Sequence, residues 1–235
     1  MQDEILKHTK KAYSEMKNPD HTFWHKTKEI LIEIGIIVFA VTLSIWLHSW
    51  SEHRHQQKEA KAFLTNLKSD LTKDITSLND ERSEYLRLNK EYEILSNITS
   101  TKLDSLKKAK SSVRLPIHTT GKKTNDGNYE GFKTSGKLGY IENEELKQLF
   151  IKYYQQTVPM INEVDRIYSN SMFKMIDFKI DNAGQSDKIK YTNPKFTEIS
   201  KYIIMIGNNN VRVYDDYGIK DAKEIIKQID IELQK

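Results

Sequence analysis

Residues Ile30 to Leu47 read ILIEIGIIVFAVTLSIWL, a run in which only Glu33 is charged. At ~1.5 Å per residue a helix of this length spans ~27 Å, close to the ~30 Å hydrocarbon core of a bilayer. The tryptophans stand at its two ends, Trp24 ahead of the run and Trp46 and Trp50 at its close. Indole rings favour the headgroup layer, which accommodates both an apolar face and an N–H donor. A core helix of this length would carry a polar stripe, and this run has none. The continuation, WLHSWSEHRHQQ, is bulky and polar and offers no small-x-small cleavage signal. The segment therefore reads as an uncleaved signal anchor, with a transmembrane helix over 30–50. Glu33 lies about 5 Å inside one edge by helical rise, where it can snorkel toward Lys26 or Lys28 or hydrogen-bond to another helix. Gly35 beside it is small enough to let helices approach.

The 29 residues before the run carry Lys7, Lys10, Lys11, Lys17, Lys26 and Lys28. The 20 residues after Trp50 carry Arg54, Lys58, Lys61 and Lys68. This bias predicts a cytoplasmic N-terminal segment over 1–29 and a periplasmic C-terminal domain, with the chain in the inner membrane.

Beyond Trp50 no helix breaker appears for some 45 residues. Apolar or large side chains recur three and four apart at Ala60, Leu64, Leu67, Leu71, Ile75, Leu78, Tyr85, Tyr92 and Leu95, with Arg82 and Asn89 in two apolar slots. The spacing predicts a long, coiled-coil-like helix over 51–112 with one apolar seam. Either a second copy of the chain or a later helix must cover that seam.

Asn97 to Thr101 weakens the helix, because short polar and β-branched side chains compete with its backbone bonds. Residues 111–128, with Pro116, Gly121 and Gly127, read as a polar loop. Four helical stretches follow within 113–235. The first is Ile141 to Gln156, with Asn143 as its cap and Leu146, Leu149, Phe150, Tyr153 and Tyr154 on its apolar face. The second runs from Pro159 to Ile180. The third runs from Pro194 to Ile206 and is stopped by Gly207 and three asparagines. The last carries Ile219, Ala222, Ile226, Ile229 and Leu233. Residues 184–193 read as loop. Glycine (9) and proline (4) are scarce and no run of strands is visible, so the fold class is all-α.

The chain has 235 residues, a net charge of +4 and no cysteine, which excludes disulfides and thiolate chemistry. The charges are interspersed along helices rather than clustered among aromatics, which argues against a nucleic-acid partner. Gly131 to Leu138, GFKTSGKL, approaches a phosphate-binding loop but places Leu138 where the magnesium-binding hydroxyl belongs, and no apolar strand precedes it. It reads as a glycine-punctuated turn. His48, Glu52 and His55 share one helix face and read as an interfacial polar face rather than a metal edge. The histidines, serines and acids show no spacing that fixes a catalytic set, so neither enzymatic activity nor a cofactor or metal is expected.

The stretch FKTSGKLGYIENEELKQLFIKYY, with EILIEIGIIVFAVTLSIWLHSWSEHR near the N-terminus, resembles an uncharacterised family of single-pass membrane proteins from Bacteroidota, a domain of unknown function. Glu33, Trp50, Phe132, Ser135, Gly136, Leu138, Asn143, Leu146, Tyr153 and Tyr154 carry the resemblance. The chain has HSWSEHR where the family pattern places asparagines around the tryptophan. The resemblance implies topology and no chemistry.

Two functional expectations follow. The first is a membrane-anchored scaffold or interaction subunit of the cell envelope that associates with itself as a homo-oligomer or with an envelope protein, its other contact being membrane lipid. The second is an ion-coupled membrane subunit that uses Glu33.

Overall fold

The computed structural model describes residues 2–15, 23–109, 113–119 and 124–235, and the described residues form helices and no strand. The all-α class read from the sequence is the observed one. The chain divides into two compact units, Met1–Glu59 and Ala60–Lys235.

In the first unit, α1 spans Gln2–Glu15 and α2 begins at Phe23, continuing to Ser96. The opening part of α2 holds one helix segment long and apolar enough to cross a membrane, and none of that apolar window is buried. Ile32, Val38, Phe39 and Trp46 are all exposed. Such a continuous exposed apolar surface is consistent with a helix that crosses a membrane. Glu33 is about three-quarters buried at its side chain, with Oε1 4.0 Å from Nδ1 of His8 on α1. Of the lysines expected to neutralise it, Lys28 is exposed, and the side chain of Lys26 lies outside the described residues.

The second unit is built around the later turns of α2. Beside it stand α3 (Ser100–Lys108), α4 (Gly127–Thr134), α5 (Glu144–Lys152), α6 (Val158–Asp181), α7 (Asp187–Tyr191), α8 (Pro194–Val213) and α9 (Lys220–Leu233). Within it α6 packs along α8, α5 against α9 and α3 against α7. Leu64, Leu67 and Leu71 of the seam are buried against Phe150, Tyr153, Tyr154, Ala222, Ile225 and Ile229. Further along, Tyr85, Leu88, Tyr92 and Leu95 are buried against α6 and α8 through Tyr168, Met172, Phe196 and Ile203. Ile75 and Leu78 are partly buried at the junction of these two clusters. The seam is thus covered by helices of its own chain. At ~1.5–3 kcal/mol for each buried large apolar side chain, this one face contributes much of the stability of the unit.

Local signals placed several ends correctly. α2 ends at Ser96, and the Thr99 side chain accepts from the Lys102 N–H to start α3. Asn143 accepts from the Leu146 N–H and starts α5, three residues later than the apolar pattern at Ile141 suggested. Asn193 caps α8, whose first turn holds Pro194.

Four expectations are corrected. Gly207 and the asparagines after it do not stop α8, which continues to Val213. Gly207 is instead a contact point with Asn89 of α2, and Asn89 Nδ2 donates to Asn208 Oδ1 at 2.9 Å. Asn210 is fully buried and donates to the Val164 carbonyl at 3.1 Å. Buried partners supply here what solvent would supply at a helix end. Second, the expected loop 184–193 contains α7, capped by Ser186. Third, Gly131–Leu138 is no simple turn: it closes α4, passes through Gly136 at φ 72° and enters a 3-10 turn over Lys137–Tyr140. Only glycine takes that left-handed conformation without strain. Residues 120–123 of the expected polar loop, and 111–112 at its start, lie outside the described residues.

The fourth concerns helix junctions. α5 joins α6 through a π-helical turn, Tyr153–Thr157, and α8 joins α9 through another, Tyr214–Ile219. The sequence predicts a break at each place. Each π turn instead takes in one extra residue and keeps the helical path continuous.

Candidate functional site

Where the two apolar clusters meet, α2 turns Asp74, Ser77 and Glu81 inward, with Tyr85 one turn further on. The spacing of three and four keeps them on the same face as the seam. The two π-helical turns touch each other, and each begins with a tyrosine that reaches this point, Tyr153 and Tyr214. π turns recur at functional sites because the inserted residue re-aims its neighbours. α6 contributes Asn162 and Asp165 from the opposite side. The segment 113–119 delivers His118 and is held by two tyrosines: Tyr92 donates to the Pro116 carbonyl and Tyr191 to the Val113 carbonyl.

The hydrogen bonds divide into two sets. Asp165 Oδ1 accepts from the Tyr85 hydroxyl at 2.8 Å and the Tyr214 hydroxyl at 2.6 Å, with Asn210 Nδ2 at 3.4 Å. Glu81 Oε1 lies 2.6 Å from His118 Nε2. On the other side, Asp74 Oδ1 accepts from the Asn125 backbone N–H at 3.0 Å and its side chain at 2.6 Å. Asn128 binds the neighbouring Asp70 at 2.6 Å. Between the sets lies a cavity of about 30 Å³ bordered by Asp74, Ser77, Glu81, Tyr153, Asp165 and Tyr214.

Burial raises the pKa of Asp165 from 3.8 to about 6, although the hydrogen bonds from Tyr214 and Tyr85 act the other way. Burial also raises Asp74, against the two bonds from Asn125, with Asp70 and Asp126 pushing in the same direction as burial. Tyr85, Tyr153 and Tyr214 are all pushed up by burial, so they stay neutral and can donate.

Asp165 therefore favours the folded state most strongly below its unfolded pKa. That stability is lost as pH rises through about 6. A shift of this size corresponds to about 1–3 kcal/mol once partial exposure is allowed for. Asp165→Asn keeps a carbonyl acceptor for both tyrosines and removes the titration. Urea denaturation between pH 4 and 8 is expected to show a shallower loss of stability in the variant than in the wild type. Equal slopes would show that Asp165 does not carry the effect.

The residues singled out in the sequence fall elsewhere, with two exceptions. Trp24, Trp46 and Trp50 are exposed in the first unit, and the Arg54 guanidinium lies 4.9 Å over the Trp50 ring. Gly35 has open space around it. On the polar face after the anchor, His55 lies 3.6 Å from Glu59, and Glu52 accepts from Gln56. Leu64, Leu67, Leu71, Ile75 and Leu78 are core residues. Of the family-like block, Phe132 stacks on Phe63 at 3.9 Å, Leu146 is buried, and Leu138 packs against the same cluster. Ser135 is exposed and donates to the Phe132 carbonyl, and Tyr154 stacks on Tyr129 at 4.4 Å. Lys133 of the phosphate-loop look-alike pairs with Glu130 within α4. The exceptions are Tyr153 and Leu78, which both border the cavity.

Sequence reading missed Asp74, Glu81, His118, Asp165, Asn210 and Tyr214. One signal was present: Asp70, Asp74 and Glu81 fall on the seam's own face, where a solvated coiled coil would not place three carboxylates.

A family profile, described as a family of unknown function (DUF6090), matches residues 31–175. The chain belongs to this family. The matched stretch runs from the apolar part of α2 into α6. It holds Asp74, Glu81, Tyr85, His118, Tyr153 and Asp165, whereas Asn210 and Tyr214 lie beyond it. No curated protein and no solved structure matches the chain.

Proposed function

We propose that this chain is a membrane-anchored scaffold or interaction subunit of the cell envelope, without catalytic activity of its own. One observation carries the reading. The exposed apolar stretch of α2 has no use in the chain's own core, while residues 60–235 form a unit whose apolar seam is already covered. A chain built this way holds a finished helical domain at a membrane surface. The lysine distribution supports an inner-membrane location with residues 1–29 in the cytoplasm and the C-terminal domain in the periplasm. Partner contacts, with a second copy or with another envelope protein, fall on surfaces other than the seam.

The test is affinity purification of the full chain in mild detergent, with mass determination and identification of co-purifying proteins, alongside a reporter fused at Lys235. The expected result is a stoichiometric complex and reporter activity confined to the exported compartment. A bare monomer, or cytoplasmic reporter activity, would overturn the reading. The ion-coupled alternative is tested in the same material. His8 and partial burial give Glu33 a local environment, so Glu33→Gln, which keeps shape and hydrogen-bonding capacity, is expected to preserve membrane level and complex alike.

A further inference from the structure

The cavity between the two π-helical turns is a built site that the scaffold reading does not use. Three carboxylates, Asp74, Glu81 and Asp165, border it, and no lysine or arginine is among its lining residues. The nearby arginine of α2 is committed elsewhere: Arg82 Nε holds Asp215 at 2.7 and 2.9 Å. His118 faces Glu81, and the tyrosines bonded to Asp165 are neutral.

A second observation is independent of the acidic cluster. Tyr153 is 1% exposed and its hydroxyl has no hydrogen-bond partner, although the side chain borders the cavity. Asp74 is 3% exposed, and its Oδ2 likewise has no partner. Leaving a buried carboxylate oxygen and a buried hydroxyl both unpaired is costly, so a resident group that satisfies them is favoured.

The space selects the group. About 30 Å³ accommodates one or two bodies the size of a water molecule. Among the described residues no group of three His, Asp or Glu is placed to hold a metal ion, so the convergent carboxylate cage of a divalent cation is not formed. A monovalent cation needs less: one carboxylate oxygen, neutral hydroxyls and a water.

We infer that this cavity binds a single monovalent cation of potassium or ammonium size, held by Asp74 Oδ2 and the Tyr153 hydroxyl. Such a site ties the stability of the helical domain to the small cations on its side of the membrane.

The experiment is thermal unfolding of the full chain in detergent at pH 8. Ionic strength is held constant while tetramethylammonium chloride, too large for the cavity, is replaced by potassium chloride or ammonium chloride. The wild type is expected to gain about 3–5 °C, saturably, in either small cation. Potassium and ammonium acting alike identifies a size-selected monovalent site, and a gain in only one of them names which is bound. Asp74→Asn is expected to abolish the gain. Tyr153→Phe, which removes only a hydroxyl, is expected to shift half-saturation upward about tenfold and keeps the test open should Asp74→Asn fail to fold. A wild-type Tm unchanged on replacing tetramethylammonium, or an undiminished gain in Tyr153→Phe, would overturn the proposal and leave an ordered water as the cavity's occupant. Rubidium-soaked crystals give a direct readout: an anomalous peak beside Asp74 supports the site, and its absence overturns it.

Discussion

Leu71→Asp is expected to unfold the helical domain rather than dissociate an oligomer. Leu71 is 0% exposed and sits in the cluster formed by α2, α5, α9 and the first π-helical turn. A carboxylate there would be desolvated among the apolar side chains of that cluster. The cost is about 4–5 kcal/mol or more, comparable with the whole stability of an ordinary domain. Leu71→Ala, which leaves only a cavity, is expected to cost about 2–5 kcal/mol and to remain folded at room temperature. Circular dichroism melts with light-scattering mass in detergent separate the possibilities. A Leu71→Asp protein that keeps its helicity while its mass falls would mean that the seam pairs between chains after all.

Gly207→Ala is expected to destabilise, against the direction that helix propensity predicts. Gly207 lies inside α8, where alanine ordinarily gains about 1 kcal/mol over glycine. A methyl group built there would stand 3.0 Å from the Asn89 Cγ and nearer still to its Oδ1. Asn89 is buried and bonded to Asn208, so it cannot swing away without losing that bond. Overpacking and the lost bond together exceed the propensity gain and give a net loss of about 1–3 kcal/mol. The double variant Asn89→Ala with Gly207→Ala removes the overlap and is expected to recover most of the loss, a coupling readable by urea denaturation. A more stable Gly207→Ala single variant would show that α2 and α8 do not meet at this point.

These two positions also mark how far the sequence could be read. Ala60, Leu64, Leu67 and Leu71 announced a buried helix face through spacing alone, because side chains three and four apart must share a face. Asn143 announced a helix start through cap chemistry, which is local. Gly207 and the asparagines after it were misread for the same reason. Locally they are helix-stopping residues, and what keeps α8 intact is Asn89, more than a hundred positions away. The π-helical turns stayed hidden because they meet each other in the tertiary structure, far apart in sequence, and no residue type marks them. Asp165 had no local signal, because the tyrosines that bond it, Tyr85 and Tyr214, come from other helices.

The sequence by itself determined that the chain is helical and that it has one apolar stretch of membrane length ending in tryptophans. It also determined which face of α2 must be covered. Composition, periodicity and end signals act within one or two helical turns, so they can be read along the chain. Tertiary structure alone decided that the cover comes from the same chain, that α8 passes through its asparagines, and that three carboxylates and a pair of tyrosines from distant helices surround one small cavity. Each of those outcomes depends on desolvation and on partners brought together from far apart in the sequence, and neither is written in the residues that surround each position along the chain.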